Sequence, residues 1–238
     1  MITVVVPVCN EEENIKPLLD EIVAVSAKCP VTEIIYVDDA STDQTLAVLR
    51  EYQKNEPRLR IIRHSKRSGQ SAAIATGVNK AADPLVATLD GDGQNDPADI
   101  EHLYTSYRQN GLGNVFVAGQ RVKREDHPWR SIASKIANTV RAWLLKDGAR
   151  DTGCGIKLFR KEDFMRLPYF NHMHRYMPAL MRRHHVNVIF LDVSHRARAR
   201  GTSKYGTLDR LWAALSDLFG VMWLNARAVP DIERQEIK

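Results

Sequence analysis

Leu85-Val86-Ala87-Thr88-Leu89-Asp90-Gly91-Asp92-Gly93-Gln94 joins a short apolar run to a tight loop in which carboxylates alternate with glycine. A run of that length bounded by a glycine turn reads as a buried strand, and the switch to acidic residues marks its end. Four more runs read the same way: Ile2 to Val6, Glu33 to Val37, Leu59 to Ile62 and Val115 to Ala118. Helical patterns lie between them over Asn14 to Ala27, Asp43 to Lys54, Ser71 to Ala82 and Pro97 to Arg108, the last opening on a proline suited to a first turn. Strict alternation of strand and helix predicts an α/β fold, a mostly parallel sheet flanked by helices.

In such sheets ligands gather beyond the carboxyl ends of the strands. Four groups of residues are thereby predicted to share one rim: Pro7, Cys9, Asn10 and Glu11; Asp38, Asp39, Ser41 and Asp43; His64 with Ser68-Gly69-Gln70; and Asp90 to Gln94. Asp38-Asp39-Ala40-Ser41-Thr42-Asp43 suits a turn leading into a capped helix. It also suits a carboxylate that accepts hydrogen bonds from a nucleobase or ribose, and the two roles are compatible. The Asp90 to Gln94 loop offers oxygen ligands to a hard cation. Asp92 and Gln94 match the sparse protein share of a Mg²⁺ or Mn²⁺ shell that substrate phosphates complete.

The second half is less regular. It holds a helical pattern over Ser131 to Leu145, a glycine-rich corner at Asp151 to Gly155, a strand candidate from Val186 to Val193 and an amphipathic end. With no repeat or long linker, residues 1–119 and 120–238 are expected to pack as one compact unit. Their charges differ: 11 Lys/Arg against 17 Asp/Glu in the first half, 23 against 12 in the second. That contrast points to a metal or polar-ligand site in front and an anionic partner behind. The basic residues lack interleaved aromatics, which argues against nucleic acid.

Cys9, Cys29 and Cys154 lack the spacing of a zinc site or a disulfide framework, and the N-terminus lacks a secretory pattern, so a cytoplasmic protein is expected. No apolar run reaches the ~18 residues of a membrane span. Leu208, Leu211, Trp212, Leu215, Leu218, Phe219, Met222 and Trp223 nevertheless recur at helical spacing, and Ile132, Ile136, Val140, Trp143 and Leu144 form a second stripe. Such stripes suit a peripheral membrane contact, packing on the sheet, or a second copy in a homo-oligomer. His172, His174, His184 and His185 lack an i, i+4 ligand pattern and are assigned surface or packing roles.

Pro7-Val8-Cys9-Asn10-Glu11-Glu12-Glu13-Asn14, the Asp38 to Asp43 segment and Asp90-Gly91-Asp92-Gly93-Gln94 together resemble the inverting family 2 glycosyltransferases of GT-A fold. Gly119-Gln120-Arg121, Asp151 to Lys157, Arg175 to Leu180 and Arg198 to Tyr205 are similar to the dolichyl or polyprenyl phosphate sugar synthase branch. Cys9 stands where that family often has Tyr, and Lys157 where Arg is usual. The resemblance implies a Rossmann-like sheet with an acceptor-side lobe and a donor that is a UDP- or GDP-linked sugar. It implies that Pro7, Glu11 and Asp39 line the nucleoside pocket, that Asp90 touches ribose or sugar, and that Asp92 and Gln94 hold the metal. Asp90, Asp92, Arg121, Arg198 and Lys204 would carry catalysis, and Arg121, Arg130, Arg198, Ser203 and Lys204 would face phosphates of the donor or of a polyprenyl phosphate acceptor. An ionised lipid phosphate attacks without a general base, whereas the alternative acceptor, a sugar hydroxyl of a glycolipid or glycan, needs one.

Overall fold

The computed structural model describes residues 1–111, 113–121, 141–196 and 207–228, with the backbone alone for 207–214. In chain order the elements are β1 (Ile2–Val8), α1 (Glu12–Val25), β2 (Val31–Asp38), α2 (Thr45–Gln53), β3 (Leu59–Arg63), α3 (Gln70–Lys80), β4 (Leu85–Thr88), α4 (Asp99–Gln109) and β5 (Val115–Arg121). Helical residues 141–145 (α5) precede β6 (Lys157–Arg160), α6 (Lys161–Met165), a 3₁₀ turn (Met173–Arg175), α7 (Met177–Arg183), β7 (Asn187–Val193) and α8 (Thr207–Ala226). Every strand and helix expected in the first 119 residues is present, with ends moved by a few residues.

The seven strands form one sheet in the order β3-β2-β1-β4-β6-β5-β7. β1, β2, β3 and β4 pair in parallel, as do β5 and β7, while β6 runs antiparallel to both neighbours. All seven residues of β1 are buried because helices cover both faces of the sheet, which is why this strand reads as a continuous apolar run. Its side chains alternate between two cores. Val4, Val6 and Val8 pack with Ile15, Leu19 and Ile22 of α1 and Leu103 of α4. Val5 packs with Ala73, Ile74 and Val78 of α3, in the core that also holds Phe164, Leu180 and Leu218.

β6 has no counterpart among the expected elements. Lys157-Leu158-Phe159-Arg160 is four residues long with a charge at each end, and its lysine is buried, so neither period nor polarity marks it as central. It enters the sheet between β4 and β5, pairing Thr88 with Lys157 and Ala118 with Lys157. The expected helix from Ser131 to Leu145 lies outside the described residues except for α5.

α3 lies close on the sheet because Gly77 has no side chain. A Cβ there would come 2.3 Å from Val5 Cγ1 and 3.2 Å from Val37 Cγ2. Gly77→Ala is therefore expected to destabilise the chain by about 1–3 kcal/mol through overpacking, seen in urea unfolding as a lower midpoint at unchanged slope.

Candidate active site

The carboxyl ends of β1 and β2 are tied together before any ligand is considered. Asn10 and Ala40 both take left-handed backbone conformations, φ 58° in each, which asparagine tolerates and which costs alanine about 1–2 kcal/mol. The loops they shape interlock. The Asn10 amide donates to Ser41 Oγ at 2.9 Å, the Thr42 amide to Asn10 Oδ1 at 2.7 Å, and the Glu11 amide to Thr45 Oγ1 at 2.9 Å. Glu11 Oε2 in turn accepts from Asn14 Nδ2 at 2.7 Å.

Asp39 pins this corner to the start of α3. Its Oδ1 lies 2.8 Å from His64 Nδ1 and accepts from the Ser68 amide at 2.8 Å, while Oδ2 accepts from the Gly69 amide at 2.7 Å. Burial alone would push the Asp39 carboxyl up, but His64 and the two amides hold it below the ordinary carboxylate range. His64 passes the link on to Thr76 of α3 through Nε2 at 2.9 Å. Three of the roughly four acceptor positions of the carboxylate are thereby taken, which leaves one for a ligand.

The Asp90 to Gln94 loop is drawn down onto β1 by glycine. A Cβ at Gly91 would sit 2.4 Å from Val8 Cγ1 and 2.8 Å from the Pro7 carbonyl, and Gly93 takes φ +72°. Asp90 is half-buried; its Oδ1 accepts from Gln70 Nε2 at 2.7 Å and its amide donates to Asn95 Oδ1 at 3.2 Å. Gly155 supplies its back wall, where a Cβ would lie 2.2–2.4 Å from the Asp90 carboxyl atoms. Burial, then the charge of Asp92, push the Asp90 carboxyl up to about 6 against the opposing pull of Lys157 and Arg121.

His195 joins this loop from across the fold. Asn95 and His195 form an antiparallel bridge, the Arg196 amide donates to the Gln94 carbonyl at 3.0 Å, and the His195 Nε2 and Gln94 Nε2 positions are 3.5 Å apart. Arg196 locks the junction through Asp96 at 2.7 Å and Glu21 at 2.8 Å. Sequence reasoning missed His195, although it follows the end of β7 as Asp90 follows β4. The Asp92 carboxylate and the Gln94 amide oxygen suit Mg²⁺ or Mn²⁺, and His195 stands next to Gln94 as a further candidate nitrogen donor. Among the described residues no group of three His, Cys, Asp or Glu stands ready to hold a metal by itself.

On the far side of Asp90 lies a basic wall. Arg121, at the end of β5, grips Asp151 with Nε and with Nη2, the latter at 2.8 Å from Oδ1, and Gly153 leaves room for the guanidinium. Lys157 is buried beneath the corner, donates to the Cys154 carbonyl, and is pushed down by burial from the usual lysine value. The structure thus brings Pro7, Glu11, Asp39, Asp90, Asp92, Gln94 and Arg121 to one rim, with Arg121 already paired to a carboxylate. Arg130, Arg198, Ser203 and Lys204 lie outside the described residues.

Two further features lie on the second half of the chain. α8 buries Leu218 and Val221 and turns Phe219 and Trp223 outward, 65% and 61% exposed, while Trp143 of α5 is 75% exposed. His172 Nδ1 lies 3.0 Å from Asp217 Oδ2 of α8. Among the described residues no helix is long and apolar enough to cross a membrane.

The sequence profile of glycosyl transferase family 2 matches residues 3–167. The chain belongs to glycosyl transferase family 2. Within the family it is 34% identical over 231 residues to the dodecaprenyl-phosphate galacturonate synthase of Rhizobium johnstonii, covering 93% of this chain and 66% of that one. It is 32% identical over 211 residues to the undecaprenyl-phosphate 4-deoxy-4-formamido-L-arabinose transferase of Pectobacterium atrosepticum, covering 87% and 63%. The chain thus spans just under two thirds of the length of these relatives. Solved structures of like fold superpose on nearly all of it. Glucosyl-3-phosphoglycerate synthase from Mycobacterium tuberculosis, in complex with Mn²⁺, UDP and glucosyl-3-phosphoglycerate, gives a TM-score of 0.71 at 18% identity, covering 97% of this chain and 81% of that one. A mannosyltransferase from Pyrobaculum calidifontis, in complex with GDP-Man and Mn²⁺, gives 0.67 at 19% identity, covering 98% and 65%. The GT-A fold expected from the sequence is thereby established.

Proposed function

We propose that this chain transfers a sugar from a UDP- or GDP-linked donor to a polyprenyl phosphate at the cytoplasmic face of a membrane, inverting the anomeric carbon with the aid of Mg²⁺ or Mn²⁺. The observation that carries the reading is the convergence of Asp90, Asp92, Gln94 and His195 on the carboxyl rim of a family 2 sheet. Likeness to two enzymes named for polyprenyl-phosphate chemistry supports the acceptor.

In this account Pro7, Glu11 and Asp39 receive the nucleoside, Asp39 through the acceptor position its internal bonds leave over. Asp90, held by Gln70 and backed by Gly155, accepts a hydroxyl of the ribose or sugar and fixes the anomeric carbon for attack. Asp92, Gln94 and His195 hold the cation. When bound it supplies Lewis-acid stabilisation to the departing diphosphate. Arg121, with Arg130, Arg198, Ser203 and Lys204, orients phosphate oxygens by charge-assisted hydrogen bonds. The attacking lipid phosphate is ionised near neutral pH and asks no general base of the protein. Trp143, Phe219 and Trp223 would rest among lipid headgroups, where the indole ring is at home.

The test is to incubate purified protein with Mn²⁺ or Mg²⁺, labelled UDP and GDP sugars and undecaprenyl phosphate, and to follow label into the organic phase. Metal-dependent labelling of the lipid with one donor is expected. Donor hydrolysis without lipid labelling would move the acceptor to a sugar hydroxyl.

A further inference from the structure

We infer that Arg196 is a positioning residue: clamped by Glu21 of α1 and by Asp96, it holds Gln94 in place for the cation and so sets the affinity of the Asp92 to Gln94 loop for Mg²⁺ or Mn²⁺. This rests on the reading of Asp92 and Gln94 as cation ligands, and extends it to an exposed residue of α1 that acts through Arg196.

The loop needs a hold from outside. Gly91 and Gly93 flank Asp92, Gly93 at φ +72°, and glycine gives a loop freedom that must be lost before two ligands stand at a fixed separation. The backbone of Arg196 supplies the hold at Gln94. Its amide donates to the Gln94 carbonyl at 3.0 Å, and its carbonyl lies 3.4 Å from Gln94 Nε2. A carbonyl only accepts, so the NH₂ end of the Gln94 amide faces Arg196 and Oε1 is the end that can serve a cation.

Arg196 is held in turn from the first half of the chain. Nη1 lies 2.8 and 2.9 Å from the two carboxylate oxygens of Glu21, and Nη2 lies 2.7 Å from Asp96 Oδ2. Asp96 is itself fixed, its Oδ1 accepting the Ala98 amide at 2.9 Å just before α4. On the other side of His195 the Ser194 amide donates to Asp99 Oδ2 of α4 at 3.0 Å, and Asp99 is buried. Two carboxylates already engage the guanidinium, so Arg196 serves the site through its backbone rather than as a ligand of phosphate. Without its side chain the Ser194 bond and the Asn95–His195 bridge remain, so the segment stays docked while Gln94 loses the fixed end of its tether.

The experiment titrates Mn²⁺ into the protein with UDP or GDP present, following the electron paramagnetic resonance signal of free Mn²⁺ against a protein-free blank. Wild type is compared with Arg196→Met, Arg196→Lys, Glu21→Gln and the Arg196→Met/Glu21→Gln double variant, with Asp92→Asn as the ligand control. In Arg196→Met the Mn²⁺ dissociation constant is expected to rise about fivefold, the upper end for an exposed ion-pair network, and in Glu21→Gln about threefold. Arg196→Lys, which can still meet one carboxylate, should fall between wild type and Arg196→Met. The double variant should match Arg196→Met, since Glu21 then has nothing to hold. Melting followed by circular dichroism checks that each variant is folded; Glu21→Gln is a nearly isosteric change on an exposed part of α1 and carries the test where Arg196→Met folds poorly. Unchanged Mn²⁺ affinity in folded Arg196→Met and Glu21→Gln, or a Glu21→Gln loss that persists at full size in the double variant, overturns the inference while Asp92→Asn still weakens binding. Wild-type protein that holds no Mn²⁺ with either nucleotide, or Asp92→Asn that holds it as well as wild type, overturns the cation reading and this inference with it.

Discussion

Asp92→Ala is expected to lower the rate of sugar transfer by about a thousandfold or more while leaving thermal unfolding nearly unchanged. Asp92 is the one carboxylate of the Asp92, Gln94 and His195 set, so its loss leaves two neutral ligands opposite a diphosphate whose leaving charge must be balanced. Several kcal/mol of transition-state stabilisation depend on that balance, and each 1.4 kcal/mol is about a factor of ten. The cost to the fold is small. The side chain is partly exposed and caps its own loop through the Gln94 amide at 3.2 Å, with no place in either core. Initial rates measured against Mn²⁺ concentration, beside melting followed by circular dichroism, check both halves. Wild-type rates in folded Asp92→Ala would contradict the assignment.

Gly155→Ala is expected to have the second largest effect, a loss of about a hundredfold in kcat/KM, although residue 155 touches no substrate. The added methyl would stand 2.2–2.4 Å from the carboxyl atoms of Asp90, so either Asp90 or the 154–156 backbone must move. Thr88 Oγ1 donates to the Gly155 carbonyl at 2.7 Å, and Ile156 beyond it is fully buried, so the backbone is the stiffer of the two. Asp90 should swing off Gln70, and a displacement of about 1 Å at a positioning group costs on the order of a hundredfold. Stability should fall by about 1–3 kcal/mol from overpacking. Asp90→Asn keeps the shape and the Gln70 neighbour, and comparing its KM and kcat with those of Gly155→Ala separates loss of charge from loss of position. Unchanged kcat/KM in folded Gly155→Ala would show that Asp90 does not position the donor.

The contrast between these two residues shows what the sequence carries and what it withholds. Asp92 is legible because it stands at the end of an apolar run in a parallel sheet, where the fold delivers its ligands, and the same logic brings Pro7, Glu11, Asp39 and Gln94 to the rim. Gly155 belongs to a corner that gains its meaning only when β6 enters the sheet between β4 and β5. Four residues with charged ends and a buried lysine give no periodic signal, and the pairing that places them joins positions about 70 residues apart. The Arg121 clamp on Asp151 spans 30 residues and depends on that insertion. His195 is an intermediate case: it lies just beyond a strand read correctly from the sequence, and its approach to Gln94 is fixed by the bridge to Asn95. The contact of His174 with Ser71 was hidden too, since only the docking of the Asn171 to Arg175 turn on α3 makes it. Internal bonds to Asp39 were equally hidden, since Ser68, Gly69 and His64 reach it only after β3 and α3 have packed.

The amphipathic pattern of α8 also resolves into two parts. Leu218 and Val221 belong to the core, whereas Leu215, Phe219 and Trp223 face outward, so one stripe serves both packing and an exposed apolar edge. A strand or helix period identifies which residues are apolar on one side; tertiary packing decides how wide a face is covered.

The central claim is that the sugar is joined to a lipid phosphate, and intact-lipid mass spectrometry of the reaction product tests it most directly. With undecaprenyl phosphate, the donor that supports labelling and Mn²⁺, the account predicts a product heavier than the lipid by one glycosyl unit, released by mild acid as expected of an anomeric phosphodiester, and absent when the cation is chelated. A product in which the sugar is carried on a hydroxyl of a glycolipid acceptor, with undecaprenyl phosphate recovered unmodified, would contradict it.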